Sequence, residues 1–230
     1  MIKKTILILS ALAFAVVSCS KDPVNNDPEP EPGDLGGGNF DNWVRITVGA
    51  VSFDNPAFDW WTSLNYLATI GGPITVTKTE DSFAGPYAAR LETKVWGTGF
   101  VIPGLLAAGI FDQTLPPGDN VVIGRPFSKK PKSFTGYYKY LPQGNDSFGL
   151  VVALTKFNTT AGVRDTLATA IFSSGDARQN YTQFNVDFDY QSQSDPDSIH
   201  VVIVTSANEI LTQENVGTVL YIDELELKYD

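Results

Sequence analysis

The chain is 230 residues long, 43% hydrophobic and 12% aromatic, with 26 acidic against 16 basic residues and a formal net charge of −10. Such an acidic chain is a poor ligand for nucleic acid, whose affinity comes chiefly from neutralising phosphates. One cysteine and one histidine exclude an internal disulfide and any zinc or transition-metal site built from His and Cys alone.

The first segment, "MIKKTILILSALAFAVVSC", places Lys3 and Lys4 before an apolar run from Thr5 to Val17. That run is shorter than the ~20 residues of a membrane span, so residues 1–18 read as a secretory signal. Val16-Val17-Ser18-Cys19 resembles the lipobox of bacterial lipoproteins, which implies cleavage before Cys19 and acylation of that residue. Several lipid chains on one terminus anchor durably; the other reading is a secreted protein with a free thiol. Residues 19–39 are rich in Pro, Asp, Glu, Asn and Gly without apolar periodicity, the composition of a flexible tether. The Ser-Lys-Asp after Cys19 resembles the export signal of Bacteroidetes surface lipoproteins, which points to the outer face of the outer membrane. The membrane would then be touched only through the lipid anchor.

Residues 40–230 read as one all-β domain. The first strand is expected at Val44 to Val48. "NPAFDWWTSLNY", Asn55 to Tyr66, is loop-like, and neighbours on an extended chain point to opposite faces. At least one of Trp60 and Trp61 should therefore reach solvent. Another strand is expected at Ile74 to Thr79. In "YAARLETKVW", Tyr87, Ala89, Leu91, Thr93 and Val95 alternate with Arg90, Glu92 and Lys94, the pattern of a half-buried strand. Trp96 shares the outward parity of Arg90 and Glu92. A helical turn is conceivable only near Ile102 to Ile110.

The stretch from Arg125 to Pro142 carries five cations and three tyrosines. Lys129, Lys130 and Lys132 fall in a solvated loop; from Phe134 a strand places Phe134, Gly136, Tyr138 and Tyr140 on one face and Thr135, Tyr137, Lys139 and Leu141 on the other. Phe148 to Phe157 and the centre of "SIHVVIVTS" are apolar on both faces and read as central strands, His200 being a satisfied strand histidine. Further strands are expected at Thr166 to Phe172, Phe184 to Tyr190 and Thr218 to Tyr229. About nine short strands with turn signals between them argue for a two-sheet antiparallel sandwich.

Sugar rings stack on flat aromatic faces, with amide or carboxylate partners for their hydroxyls. The candidate ligand set is Trp60 and Trp61 with Asp59, Asn65 and Tyr66, joined by Trp96. Two-carboxylate glycoside hydrolysis needs a pair of acids about 5 to 9 Å apart, and Glu92, Glu224 and Glu226 could supply one. Asp223 falls in phase with Val219, Tyr221, Leu225 and Leu227 on the expected inner face, where a carboxylate must be hydrogen-bonded, paired or bound to a cation. Structural calcium with Asp54 or Asp41 is one reading. A capping hydrogen bond or a local bulge is the preferred one. No other cofactor is implied.

Four segments, in order, carry a family resemblance: "NFDNW" at Asn39 to Trp43, "AARLETK" at Ala88 to Lys94, "GRPFSKKPKSFTGYYKY" at Gly124 to Tyr140, and "NVGTVLYIDELELKY" at Asn215 to Tyr229. Together the chain resembles the putative carbohydrate metabolism domain (PCMD) family of Bacteroidetes lipoproteins. The resemblance implies a jelly-roll β-sandwich similar to carbohydrate-binding modules, with no catalytic residues to carry over. It adds Tyr137 and Lys139 as candidate surface contacts. The function expected is glycan binding without catalysis. The alternatives are an adhesion or assembly protein that binds another protein, and a small two-carboxylate glycoside hydrolase.

Overall fold

The computed structural model describes residues 35–56, 60–112, 115 and 121–229. The signal segment, Cys19, the tether up to Asp34, and Asp59 lie outside the described residues. A first hairpin pairs β1 (Trp43–Val48) with β2 (Val51–Pro56). It is followed by β3 (Trp61–Ser63), a 3-10 helix (Leu64–Ile70), β4 (Val76–Thr79), β5 (Ala88–Glu92), and a ribbon of β6 (Lys94–Trp96) and β7 (Phe100–Ile102). Next come β8 (Leu105–Phe111), β9 (Val121–Ile123), β10 (Arg125–Pro126), β11 (Ser133–Leu141), β12 (Phe148–Asn158) and β13 (Val163–Ser174). The last strands are β14 (Arg178–Asp187), β15 (Asp189–Tyr190), β16 (Ser198–Val204) and β17 (Val219–Lys228).

One sheet runs β15-β13-β12-β16-β8-β3, with β9 and β10 joined to β8 and β16; the other runs β14-β11-β17-β5-β4. Chain crossings at β3–β4, β5–β8, β10–β11, β11–β12, β13–β14, β14–β15 and β16–β17 pass from one sheet to the other, giving an antiparallel jelly-roll sandwich. Period-two patterning is what stacks the layers. Leu150, Val152 and Leu154 of β12 and Ile199, Val201 and Ile203 of β16 are buried against Phe134, Tyr138 and Tyr140 of β11 and Leu220 and Ile222 of β17.

Three expectations are corrected here. The segment Ile102 to Ile110 holds no helical turn: it becomes β7's end and β8, since Leu106, Ala107 and Ala108 are buried and the first two are paired on both sides, to β3 and β16. Residues 35–39 are not tether but body. Leu35 and Phe40 are each 1% exposed, and Leu225 donates its N–H to the Gly38 carbonyl at 2.9 Å.

The third correction concerns β17, whose alternation is broken midway. Leu220 and Ile222 face the core before the break and Leu225 and Leu227 after it, with Glu224 at φ +51° and a register shift opposite Thr135 to Tyr137. A β-bulge inserts one residue and flips the parity. Gly136 sits opposite it because a Cβ there would stand 2.7 Å from Leu225 Cδ2. Tyr221 and Asp223 therefore lie on the outer side of the sheet.

Candidate functional site

Trp60 and Trp61 do not reach solvent: they are 6% and 2% exposed. The reason is the segment misread as tether. Gly36 lies flat against the Trp60 indole, where a Cβ would come 1.9 Å from Cδ1, and Phe40 packs on Trp61 with ring centroids 5.3 Å apart. Asn65 is fully buried and is a structural clamp rather than a ligand partner. Its Oδ1 accepts the Thr75 and Val76 N–H groups at 2.9 Å each, and its Nδ2 donates to the Val76 carbonyl at 2.6 Å. Tyr66 packs edge-on against Phe53 at 4.9 Å. The set Trp60, Trp61, Asn65 and Tyr66 thus belongs to the interior and its margin. Trp96 is different: it is half-buried on β6, opposite the 71% exposed Phe100 of β7.

Asp223, Asp54 and Asp41 are not gathered into a cation site. Among the described residues no group of three or more His, Cys, Asp or Glu could hold a metal ion. Asp54 is engaged by Arg45 at 2.5 Å, and Asp41 accepts from Asn39 at 2.9 Å. Asp223 is fully buried, yet every oxygen is used: Oδ2 accepts the Phe83 and Ala84 N–H groups at 2.7 and 3.2 Å, and Oδ1 that of Glu224 at 2.9 Å. This is the bulge-and-cap reading.

Burial pushes Asp223 up to about 6, more than its three amide bonds pull it down. A carboxyl raised above its unfolded value of about 3.9 binds its proton more tightly in the folded state. Its stability contribution is fully present below that value and is lost as pH rises through about 6. Melting of the wild type and Asp223→Asn between pH 4 and 6.5 should show the wild type losing ground to the variant as pH rises. Parallel curves would refute this.

The largest polar–aromatic constellation lies on the outer face of the five-stranded sheet. Across the strands, Lys139 of β11 pairs in register with Tyr221 of β17, Tyr221 with Arg90 of β5, and Arg90 with Thr77 of β4. Strand spacing sets these side chains ~4.8 Å apart. The Lys139 ammonium stands 4.6 Å from the Tyr221 ring centroid and 5.2 Å from that of Tyr181 on β14, while the Arg90 guanidinium is 6.0 Å from Tyr221 on its other flank. Glu92 bonds Arg90 at 2.8 Å and pairs with Lys94 at 3.3 Å.

Burial pushes Glu92 up, but the hydrogen bond and charge of Arg90, with Lys94, outweigh it and hold the carboxyl below its usual range. Burial likewise opposes the Arg90 charge, and bonds to Glu92 and Tyr221 overcome it. Both groups are ionised at neutral pH. Lys94, paired with Glu92, begins the separate β6–β7 ribbon that carries Trp96 and Phe100.

At the opposite end, the loop Glu80 to Tyr87 folds back across the sheet. Phe83 stacks on Tyr137 at 3.5 Å with planes 10° apart, Tyr181 Oη donates to the Asp81 carbonyl at 2.7 Å, and the Lys139 ammonium pairs with the Asp81 carboxylate. Sequence parity already placed Tyr137, Lys139, Arg90 and Glu92 outward. Tyr221 was hidden by the bulge, and Tyr181 and Phe83 carry no periodic signal that singles them out.

His200 sits on the other sheet, its Nε2 3.0 Å from Thr155 Oγ1. Of the three glutamates weighed for hydrolysis, Glu92 is locked in ion pairs and Glu226 is paired with Lys228. Glu224 is pushed up by burial and then by Asp41 and Glu226.

Among the solved structures that share this fold are two of Bacteroides proteins. One, described as a "putative glycoside hydrolase" from Bacteroides thetaiotaomicron, superposes with a TM-score of 0.64 at 19% identity over 89% of this chain and 72% of its own. Another of the same description, from Bacteroides vulgatus, gives 0.66 at 19% identity over 84% and 97%. No curated protein matches the sequence. The family model described as "Putative carbohydrate metabolism domain" (PCMD) matches residues 52–228, from β2 to the end of β17. The chain therefore belongs to the PCMD family, a carbohydrate-related domain.

Proposed function

We propose that the protein binds glycan on the outer face of its five-stranded sheet, without cleaving it. The observation that carries this reading is the row Lys139–Tyr221–Arg90–Glu92, which sets a half-buried tyrosine ring among donors and an acceptor on a rigid sheet. Each cation on the row has its own carboxylate: Lys139 has Asp81, and Arg90 has Glu92. Such pairs offer a sugar hydroxyl both donors and acceptors, and with Lys94 also sharing Glu92 the cluster keeps little net charge, which suits neutral polysaccharide. Trp96 and Phe100 extend the face with apolar surface.

The soluble chain applied to a glycan array should retain neutral polysaccharides, with little loss between 50 and 500 mM salt. An empty array from a folded sample would count against the reading. Hydrolysis is the second reading, favoured by the raised Glu224 beside Asp41 and by the descriptions of the two similar structures. Shortened oligosaccharides after prolonged incubation, abolished by Glu224→Gln, would select it.

The lipobox-like Cys19 supports a lipid-anchored location on the outer membrane, facing outward. Expressed in its own type of cell envelope, the Cys19→Ala chain should move from the membrane fraction to the soluble fraction. Protease added to intact cells should remove the wild-type body. Retention of Cys19→Ala in the membrane would refute the anchor.

A further inference from the structure

The loop between β4 and β5 is held across the sheet by polar ties rather than by apolar burial. Glu80, Asp81, Phe83, Gly85 and Pro86 are exposed, and Phe83 keeps 45% of its surface in solvent. Its contacts with the sheet are the Asp81 pair with Lys139, the Tyr181 hydroxyl on the Asp81 carbonyl, and the two amides on Asp223. The one apolar contact of note is the Phe83 ring lying parallel on Tyr137 at 3.5 Å, with Tyr181 edge-on at 6.0 Å. Segments with few buried contacts and exposed polar ties are the ones that open locally at least cost.

A flat ring lying parallel on a tyrosine face is also the arrangement a pyranose ring would take there. We propose that Tyr137 is a concealed sugar-stacking position, occupied by Phe83 of the same chain, and that loop Glu80–Pro86 swings aside when a glycan lies along the face. The proposal rests on the carbohydrate reading of this face and adds a position and a lid to it. Departure of the lid frees the Lys139 ammonium, the Tyr181 hydroxyl and the Asp223 carboxylate, so that ligand hydroxyls replace each tie the loop gives up. The ligand class is a neutral polyol chain, since the freed groups include both signs of charge side by side. The moving part ends before Tyr87, whose ring is held by Lys78 at 5.2 Å, and Gly85 at φ +62° supplies the sharp turn.

Two measurements test this. The first needs no ligand. In native-state hydrogen exchange, the amides of Phe83 and Ala84 should open at least 100-fold more readily than those of Ala89 and Leu91 on β5. Equal protection would overturn the lid whatever the protein binds.

The second titrates wild type, Phe83→Ala and Tyr137→Ala with barley β-glucan, xylan, yeast mannan and dextran. Removing the competing ring should raise affinity by about threefold to tenfold. In the Tyr137→Ala background, Phe83→Ala should give no gain. A loss of affinity in Phe83→Ala would make Phe83 itself the platform and overturn the concealed position. Failure of all four proteins to bind any of the four polysaccharides, with a freely opening loop, would instead overturn the carbohydrate reading and the sugar position with it. Phe83 is exposed enough for its alanine variant to fold, and a melting curve of Tyr137→Ala, recorded before titration, would check the same for that variant.

Discussion

Replacing Asn65 by alanine should cost about 4 kcal/mol of folding stability. The side chain is fully buried and satisfies two backbone N–H groups and one carbonyl at the junction of the 3-10 helix with β4. Each buried polar group left without a partner costs about 1–3 kcal/mol, and alanine strands three at once. A domain of this kind holds only about 5–15 kcal/mol in total, so the variant should lose a large share of it. Urea unfolding should show the midpoint falling with an unchanged m-value. A loss below about 1 kcal/mol would mean that water or a shifted backbone takes over these bonds.

The second large effect concerns binding. Tyr221 lies at the centre of the row, flanked by Lys139 and Arg90, and is half-buried. Tyr221→Ala removes the ring that holds both cations in place, and with it the arrangement of donors offered to a sugar. Affinity for whichever neutral polysaccharide the array retains should fall about tenfold or more, ~1.4 kcal/mol. Tyr221→Phe keeps the ring and should lose less. His200→Ala, on the opposite sheet, should leave affinity within about twofold. Equal losses from Tyr221→Ala and His200→Ala would report general destabilisation and not a site.

Much of this architecture was legible from alternation alone. Phe134, Tyr138 and Tyr140 fall on the dry side of β11 and Tyr137 and Lys139 on the wet side, as period two requires. Arg90 and Glu92 likewise come out on the face where they form the central ion pair. What alternation could not carry was anything set by a single irregularity. The bulge at Glu224 reverses the parity of the end of β17, so Tyr221 read as core and Asp223 as an inner carboxylate. A carboxylate in the inner phase pointed to a cap or a bulge near Asp223, but the place of the bulge is a matter of register against Gly136 on a partner strand.

The tryptophan pair failed for a different reason. Trp60 and Trp61 do not point apart: their rings lie 6.1 Å centroid to centroid in one core cluster, and a Gly-rich stretch with the composition of a linker folds back to seal them. Composition detects a segment that cannot form its own core. It is blind to one that contributes Leu35 and Phe40 to another. The lid is invisible for the same reason, since Asp81 and Phe83 meet Lys139, Tyr181 and Tyr137 only across 54 or more residues of chain.

The claim that the outer face of the five-stranded sheet is the ligand surface is tested most directly by nuclear magnetic resonance. Isotope-labelled protein would be titrated with the retained polysaccharide, and shift changes mapped on the backbone. The account predicts changes concentrated at Phe83, Tyr137, Lys139, Arg90, Tyr221 and Trp96. Changes centred instead on β12, β13 and β16, around His200 and Thr155, with that row silent, would contradict it.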